Sequence, residues 1–244
     1  MNLIIDIGNT RTKLGIFGKG KLLRKAVFET GWGVNALKAF IADRPVESAA
    51  VSTVAGLDKN IEHYLAGLKY YLKLTAATPL PLKNNYKSPE TLGNDRLAAV
   101  AGAHFLFPGK ACLAIDAGTC ITYDFISAKG VYEGGNITPG INMRLKAMHT
   151  FTSGLPLVPL KKTNSSVGKD TRTSILTGAL QGALLEMEGF IKHYEAAFGT
   201  LTAILTGGDA DYFANKMKSE IFVNPNLVLI GLNQILNYNV QYSK

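Results

Sequence analysis

The sequence predicts an α/β protein of two duplicated domains, each a mixed sheet flanked by helices, and three observations predict it. Short apolar runs alternate with helical segments along the chain, the order expected of α/β architecture. The run Leu3-Ile4-Ile5-Asp6-Ile7-Gly8-Asn9 overlays Leu113-Ala114-Ile115-Asp116-Ala117-Gly118-Thr119 at a constant offset of 110 (116 minus 6). Thr12 then meets Thr122, and the elements that follow keep the same order in both halves, which makes duplication the better account than chance.

The chain opens on a β-hairpin, because Asn2–Ile7 and Thr12–Phe17 are rich in Leu and Ile and are separated by Gly8, Asn9 and Thr10. A third strand is expected over 21–30, a helix over 34–42, a strand over 47–54 and a helix over 57–68. Pro79, Pro81 and Pro89 with Asn84-Asn85 then break the pattern, so we place a first domain at 1–85 and a second at 86–244, whose final helix is free to pack back on the first. A helix over 94–107 precedes strands over 111–116, 121–127 and 131–137. Leu176, Leu180, Leu184, Met187, Phe190, Ile191, Tyr194 and Phe198 recur at helical spacing, so a long amphipathic helix runs from about Thr171 and these residues are core. A buried strand over 203–205 ends at Thr206-Gly207-Gly208-Asp209, and a closing helix follows over 227–238.

Hydrophobic residues make up 47% and charged residues 18%, which excludes a disordered chain. The best apolar stretch, 97–107, carries His104 and falls short of the roughly 18 residues a membrane span requires, so no membrane partner is expected. Asp6 interrupts the first apolar run before a secretory core can form, which predicts a cytoplasmic location. Cys112 and Cys120 are too few for a zinc site or disulfide framework and read as buried reduced thiols. The net charge of +8 suits anionic ligands; with no aromatic-interleaved basic run or helix-turn-helix pattern, nucleic acid is not expected. His63, His104, His149 and His193 show no metal-ligand or triad spacing. The segment 15–22 nearly fits a P-loop but ends in Leu22, which offers magnesium no hydroxyl, so Gly18-Lys19-Gly20 is read as a turn.

Candidate chemistry lies where an acid ends a strand and is followed by glycine and a small polar residue. The glycine lets backbone amides approach phosphate oxygens, and the hydroxyl or amide side chain adds a donor. Two such hairpins can hold a polyphosphate, with Asp6 and Asp116 addressing the accompanying cation and Lys13 neutralising phosphate charge. Gly93-Asn94-Asp95-Arg96 opens a helix, where amides and dipole favour an anion; it supplies a proton acceptor and a bidentate carboxylate clamp, or else only a cap. Gly134–Gly140 and Gly168–Thr171 are further turns of candidate interest.

Asp6 to Lys13, Gly93 to Arg96, Asp116 to Thr119, Gly134 to Gly140 and Gly168 to Thr171 together resemble the ordered motif set of type III pantothenate kinases. The resemblance implies an actin-like (ribonuclease H-like) fold with an ATP cleft between its domains, and transfer of the ATP γ-phosphoryl group to pantothenate, the first step toward coenzyme A. It further implies that Asp95 is the proton acceptor and that Asp6, Ile7, Gly8, Asn9, Thr10, Arg11, Thr12, Lys13 and Thr119 contact ATP with its Mg2+. Tyr86, Gly93, Asn94, Asp95, Arg96 and Thr171 would hold pantothenate, and Asp116 a monovalent cation, K+ or NH4+. It implies a homodimer whose partner chain supplies Thr171. Cys120 and Asp170 depart from the usual alanine and asparagine of the family. Alternative readings are a non-enzymatic transcription accessory factor, against which an intact Asp95 argues, and another actin-like phosphotransferase or hydrolase, which leaves the Gly-x-Asp-Arg element unexplained.

Overall fold

A computed structural model describes residues 1–29, 32–53 and 56–242. The elements are, in chain order, β1 (Asn2–Ile7), β2 (Arg11–Gly18), β3 (Lys21–Glu29), α1 (Val34–Ile41), β4 (Ser48–Thr53), α2 (Lys59–Ala66), β5 (Tyr70–Lys73), β6 (Lys83–Asn84) and, after a 3-10 turn, α3 (Asn94–Leu106). There follow β7 (Cys112–Ala117), β8 (Cys120–Ile126), β9 (Val131–Pro139), α4 (Ile141–Thr150), α5 (Thr171–Phe198), β10 (Thr202–Thr206), α6 (Ala210–Ala214), β11 (Ile221–Val223) and α7 (Leu227–Tyr242). The ends expected at Thr30 for β3 and Val54 for β4 lie outside the described residues. Gly18-Lys19-Gly20 is the turn between β2 and β3, with Lys19 and Gly20 both at positive φ.

Two compact units form: Met1–Gly109 with Ile126–Glu133 and Asn226–Lys244, and Lys110–Phe125 with Gly134–Pro225. In the first, the sheet order is β3-β2-β1-β4-β5, with β1, β2 and β3 antiparallel and β1, β4 and β5 parallel. One face carries Leu3, Ile5, Ala49 and Val51, buried against Leu37, Phe40 and Ile41 of α1 and Ile61 and Leu65 of α2. Strand alternation sends Asn2, Ile4 and Asp6 of β1 and Ser48, Ala50 and Ser52 of β4 to the other face, on which α3 and α7 pack. Asn2 Nδ2 fixes α7 by donating to Asn233 and Asn237 Oδ1, at 2.8 and 2.7 Å.

The two helices cross without side chains between them at their closest point. A Cβ on Gly231 would stand 1.7 Å from the Ala98 carbonyl oxygen, and one on Gly102 2.4 Å from that of Leu227. This packing groups 86–109 with the N-terminal strands by contact, where the sequence reading draws a boundary at 85/86.

The second unit has the sheet β9-β8-β7-β10-β11, with β7, β10 and β11 parallel. This repeats β3-β2-β1-β4-β5 element for element. Its core places Leu113, Ile115, Ala117, Ala203 and Leu205 under Leu180, Met187 and Ile191 of α5, as the helical spacing predicts, together with Ala183. Phe198, expected in the core, is 54% exposed at the last turn of α5. The first residues of β9, which belong to the first unit, pair with β6.

Candidate functional site

In the first unit the β1–β2 hairpin places Asp6, 8% exposed, opposite Lys13, and closes with the Gly8 N–H donating to the Arg11 carbonyl at 3.0 Å. Asn9, Thr10 and Arg11 stand exposed at the tip. Ile7, Gly8, Asn9, Arg11 and Thr12 line a cavity of about 180 Å³ whose far wall is Trp32, Gly56 and Asp58. Trp32 Nε1 donates to Thr12 Oγ1 at 3.0 Å while its ring stacks on Phe28. Asp58 caps α2 by accepting from the Asn60 and Ile61 amides. Sequence reasoning missed Trp32 and Asp58, because only tertiary contact brings them to the hairpin.

The start of α3 lies at the same end of that sheet. Asn94 Nδ2 donates to the Leu74 carbonyl at 3.0 Å, and the Leu74 N–H donates to Val51 on β4, beside the Asp6–Ser52 pair. Gly93 is the N-cap and offers no side-chain cap. Asp95 Oδ1 accepts from the Arg96 N–H at 2.9 Å. Arg96 is 5% exposed, and its guanidinium sits 5.5 Å from the Tyr86 ring centroid, a cation–π arrangement. Tyr86 stacks on Tyr132 and donates its N–H to Asn84 Oδ1. One unit thus gathers Asp6 to Lys13, Tyr86 and Gly93 to Arg96 at the carboxyl ends of its parallel strands, where open α/β sheets bind ligands.

The second unit holds Asp116, Thr119 and Thr171. Asp116 is the penultimate residue of β7, the Gly118 N–H donates to the Cys120 carbonyl at 2.9 Å, and Thr119 is exposed at the tip. Gly140 donates to the Thr119 carbonyl; a Cβ there would stand 2.2 Å from the Gly118 carbonyl oxygen, so this turn needs glycine. The loop after β10, whose chemistry the sequence left unassigned, also flanks the acid. Thr206 pairs with Asp116 across the parallel ladder, Gly207 at φ 101 leaves room for Asp116 Oδ1, and the Asp209 N–H donates to Ala117. Thr171 is exposed in the first turn of α5, which Asp170 caps through the Thr173 N–H. That hydrogen bond holds the Asp170 carboxyl below its ordinary range, and capping gives the aspartate here a structural use.

Residues 134–139, expected as a turn, continue strand β9, and only Gly140 joins it to α4. Behind the end of this strand, Glu186 accepts from Tyr123 at 3.0 Å, from Thr138 at 2.6 Å and from Arg144 Nη2 at 2.7 Å, while Arg144 Nε donates to Pro139. Desolvation pushes the Glu186 carboxyl up, but the hydrogen bonds from Arg144 and Thr138 and the Arg144 charge outweigh it and hold the group below its ordinary range. Burial and the nearby Glu186 charge raise the Tyr123 hydroxyl. Among the described residues, no group of three or more His, Cys, Asp and Glu side chains is placed to hold a metal.

The family model of type III pantothenate kinase matches residues 2–193, a stretch that includes every candidate residue from Asp6 to Thr171. The chain belongs to the type III pantothenate kinase family. Relatives carrying that family name from Phocaeicola vulgatus and Bacteroides fragilis are 46% and 47% identical over 241 and 240 residues, covering 98% of this chain and 99% and 98% of theirs. Among solved structures, a Campylobacter jejuni protein described as a Baf family transcriptional activator matches with a TM-score of 0.61 at 22% identity, covering 98% of this chain and 99% of that one. A ROK family glucokinase from Streptomyces griseus, solved with glucose and AMPPNP, matches with a TM-score of 0.54 at 13% identity, covering 97% and 99%. At those identities the likeness concerns fold alone, and the fold is the actin-like α/β type. Among the described residues no helix is long and apolar enough to cross a membrane.

Proposed function

We propose that this family member phosphorylates pantothenate with ATP to give 4'-phosphopantothenate, the first step of coenzyme A biosynthesis. The observation that carries the reading is the Gly93–Arg96 helix start at the carboxyl ends of the parallel strands, on the sheet face that bears Asp6. Transfer of a phosphoryl group asks mainly for positioning and charge stabilisation. Gly93 to Arg96 and Tyr86 hold pantothenate, with Arg96 clamping its carboxylate and Asp95 accepting the proton of the primary hydroxyl as the bond to phosphorus forms. The alcohol does not ionise at neutral pH, so an ordinary aspartate suffices.

The hairpin residues Asp6 to Lys13 and Thr119 grip the triphosphate. The structure supports this with the exposed polar tips at Asn9, Thr10, Arg11 and Thr119 and with the small cavity against Gly8. Each unit offers a carboxylate of the chemistry a hard cation prefers, Asp6 in the first and Asp116 in the second. Mg2+ held there would neutralise charge on the phosphate oxygens, and Asp116 would hold a monovalent cation. Thr171 completes the pantothenate pocket from the partner in a homodimer, and the enzyme acts in the cytoplasm.

The test is incubation of purified protein with ATP, magnesium, potassium and pantothenate. Equal amounts of ADP and 4'-phosphopantothenate support the reading. Phosphate release without an alcohol product, or duplex DNA binding without turnover, overturns it.

A further inference from the structure

Two buried hydroxyls stand beside the two acids. Ser52 is 1% exposed and Thr206 is fully buried, and neither Ser52 Oγ nor Thr206 Oγ1 has a hydrogen-bond partner among the described residues. Ser52 is the partner of Asp6 across the parallel β1–β4 ladder, and Thr206 is the partner of Asp116 across β7–β10. Laterally paired residues project from the same sheet face, so each hydroxyl shares a face with a carboxylate. The same faces otherwise carry apolar residues one pleat away, Ile4 and Ala50 in the first unit and Ala114 and Ile204 in the second. A hydroxyl left unpaired there lowers stability relative to an apolar side chain. The missing Cβ of Gly207 lets Asp116 Oδ1 lean over the end of β10, since an ideal Cβ would stand 2.5 Å from that oxygen.

We infer that Ser52 and Thr206 are positioning residues, each holding the carboxylate of its paired acid through a bridging buried water. A water between a hydroxyl and a carboxylate has the polar partners that ordered internal waters require. The acid is thereby fixed before nucleotide arrives. The two units use different residue types that share the hydroxyl, at equivalent places in equivalent sheets. This inference rests on the phosphotransfer reading of the acids.

The experiment compares wild type with Thr206→Val, Thr206→Ser and Ser52→Ala, measuring thermal midpoint, affinity for a non-hydrolysable ATP analogue, and kcat and KM for ATP. Thr206→Val and Ser52→Ala are expected to hold or raise the midpoint while weakening analogue binding and kcat/KM by about tenfold, the low end for lost outer-shell support. Thr206→Ser is expected to restore binding. Unchanged analogue affinity in both variants, a loss confined to one of them, or a fallen midpoint that Thr206→Ser does not rescue would overturn the inference. Wild-type protein that binds the analogue but never phosphorylates pantothenate would sink the kinase reading instead, and the binding comparison would still decide this one.

Discussion

Gly93 and Asp95 share a space that admits only one of a Cβ and a carboxylate: a Cβ on residue 93 would stand 2.5 Å from Asp95 Oδ1. Gly93→Ala therefore forces the Asp95 side chain to turn away and leaves the backbone of α3 in place, since the obstructed atom is at the end of a side chain. Displacement of a reacting group by about 1 Å costs on the order of a hundredfold in rate. Steady-state kinetics should show that loss in kcat with a near-normal melting curve, and Asp95→Asn should abolish turnover with the fold intact. Full activity in either variant contradicts the role given to Asp95.

The α3–α7 crossing predicts a different signature. Gly231→Ala drives a Cβ into the Ala98 backbone carbonyl, 1.7 Å away, and neither backbone can yield without parting the helices. Overpacking of this kind costs about 1–3 kcal/mol. Urea unfolding should register the loss, and activity should fall with it because α3 carries Asp95. A variant as stable as wild type would show that the crossing is wider than described.

Glu186 makes stability depend on acid. Its folded-state carboxyl lies below the ordinary range, so its contribution is present above about pH 4, the unfolded glutamate value, and is lost as pH falls through the lower folded value. Glu186→Gln should destabilise the protein at pH 7, and the gap to wild type should shrink at pH 3. Denaturant titrations at both pH values check this; an equal gap at both contradicts it.

The two thiols should differ in reactivity. Burial pushes the Cys112 thiol up to about 11, outweighing the lowering influence of Lys110, whereas Cys120, expected to be buried like Cys112, is only half-buried beside the β7–β8 turn. Only the thiolate is nucleophilic. Alkylation at pH 8 followed by peptide mass analysis should label Cys120 first and Cys112 only after unfolding. Equal labelling in the native state would refute the burial of Cys112.

The acid-ended hairpins were legible because a strand, an acid and a glycine recur at one offset, a local pattern that needs no tertiary knowledge. The long helix was legible from its spacing. Strands β5, β6 and β11 and helix α6 were not, because two to five residues carry too little periodicity. Trp32 and Asp58 reach the hairpin only through folding. Ser52 and Thr206 gain meaning only from lateral register, which a sequence does not print, and the place of 86–109 beside the N-terminal strands depends on a helix crossing between Gly102 and Gly231.

The most direct measurement is a crystal structure with pantothenate and a non-hydrolysable ATP analogue. The account predicts the triphosphate in contact with both acid-ended hairpins, and the pantothenate primary hydroxyl within about 2.6–3.2 Å of an Asp95 carboxylate oxygen. A nucleotide that touches only one hairpin, or a hydroxyl held away from Asp95, would contradict it.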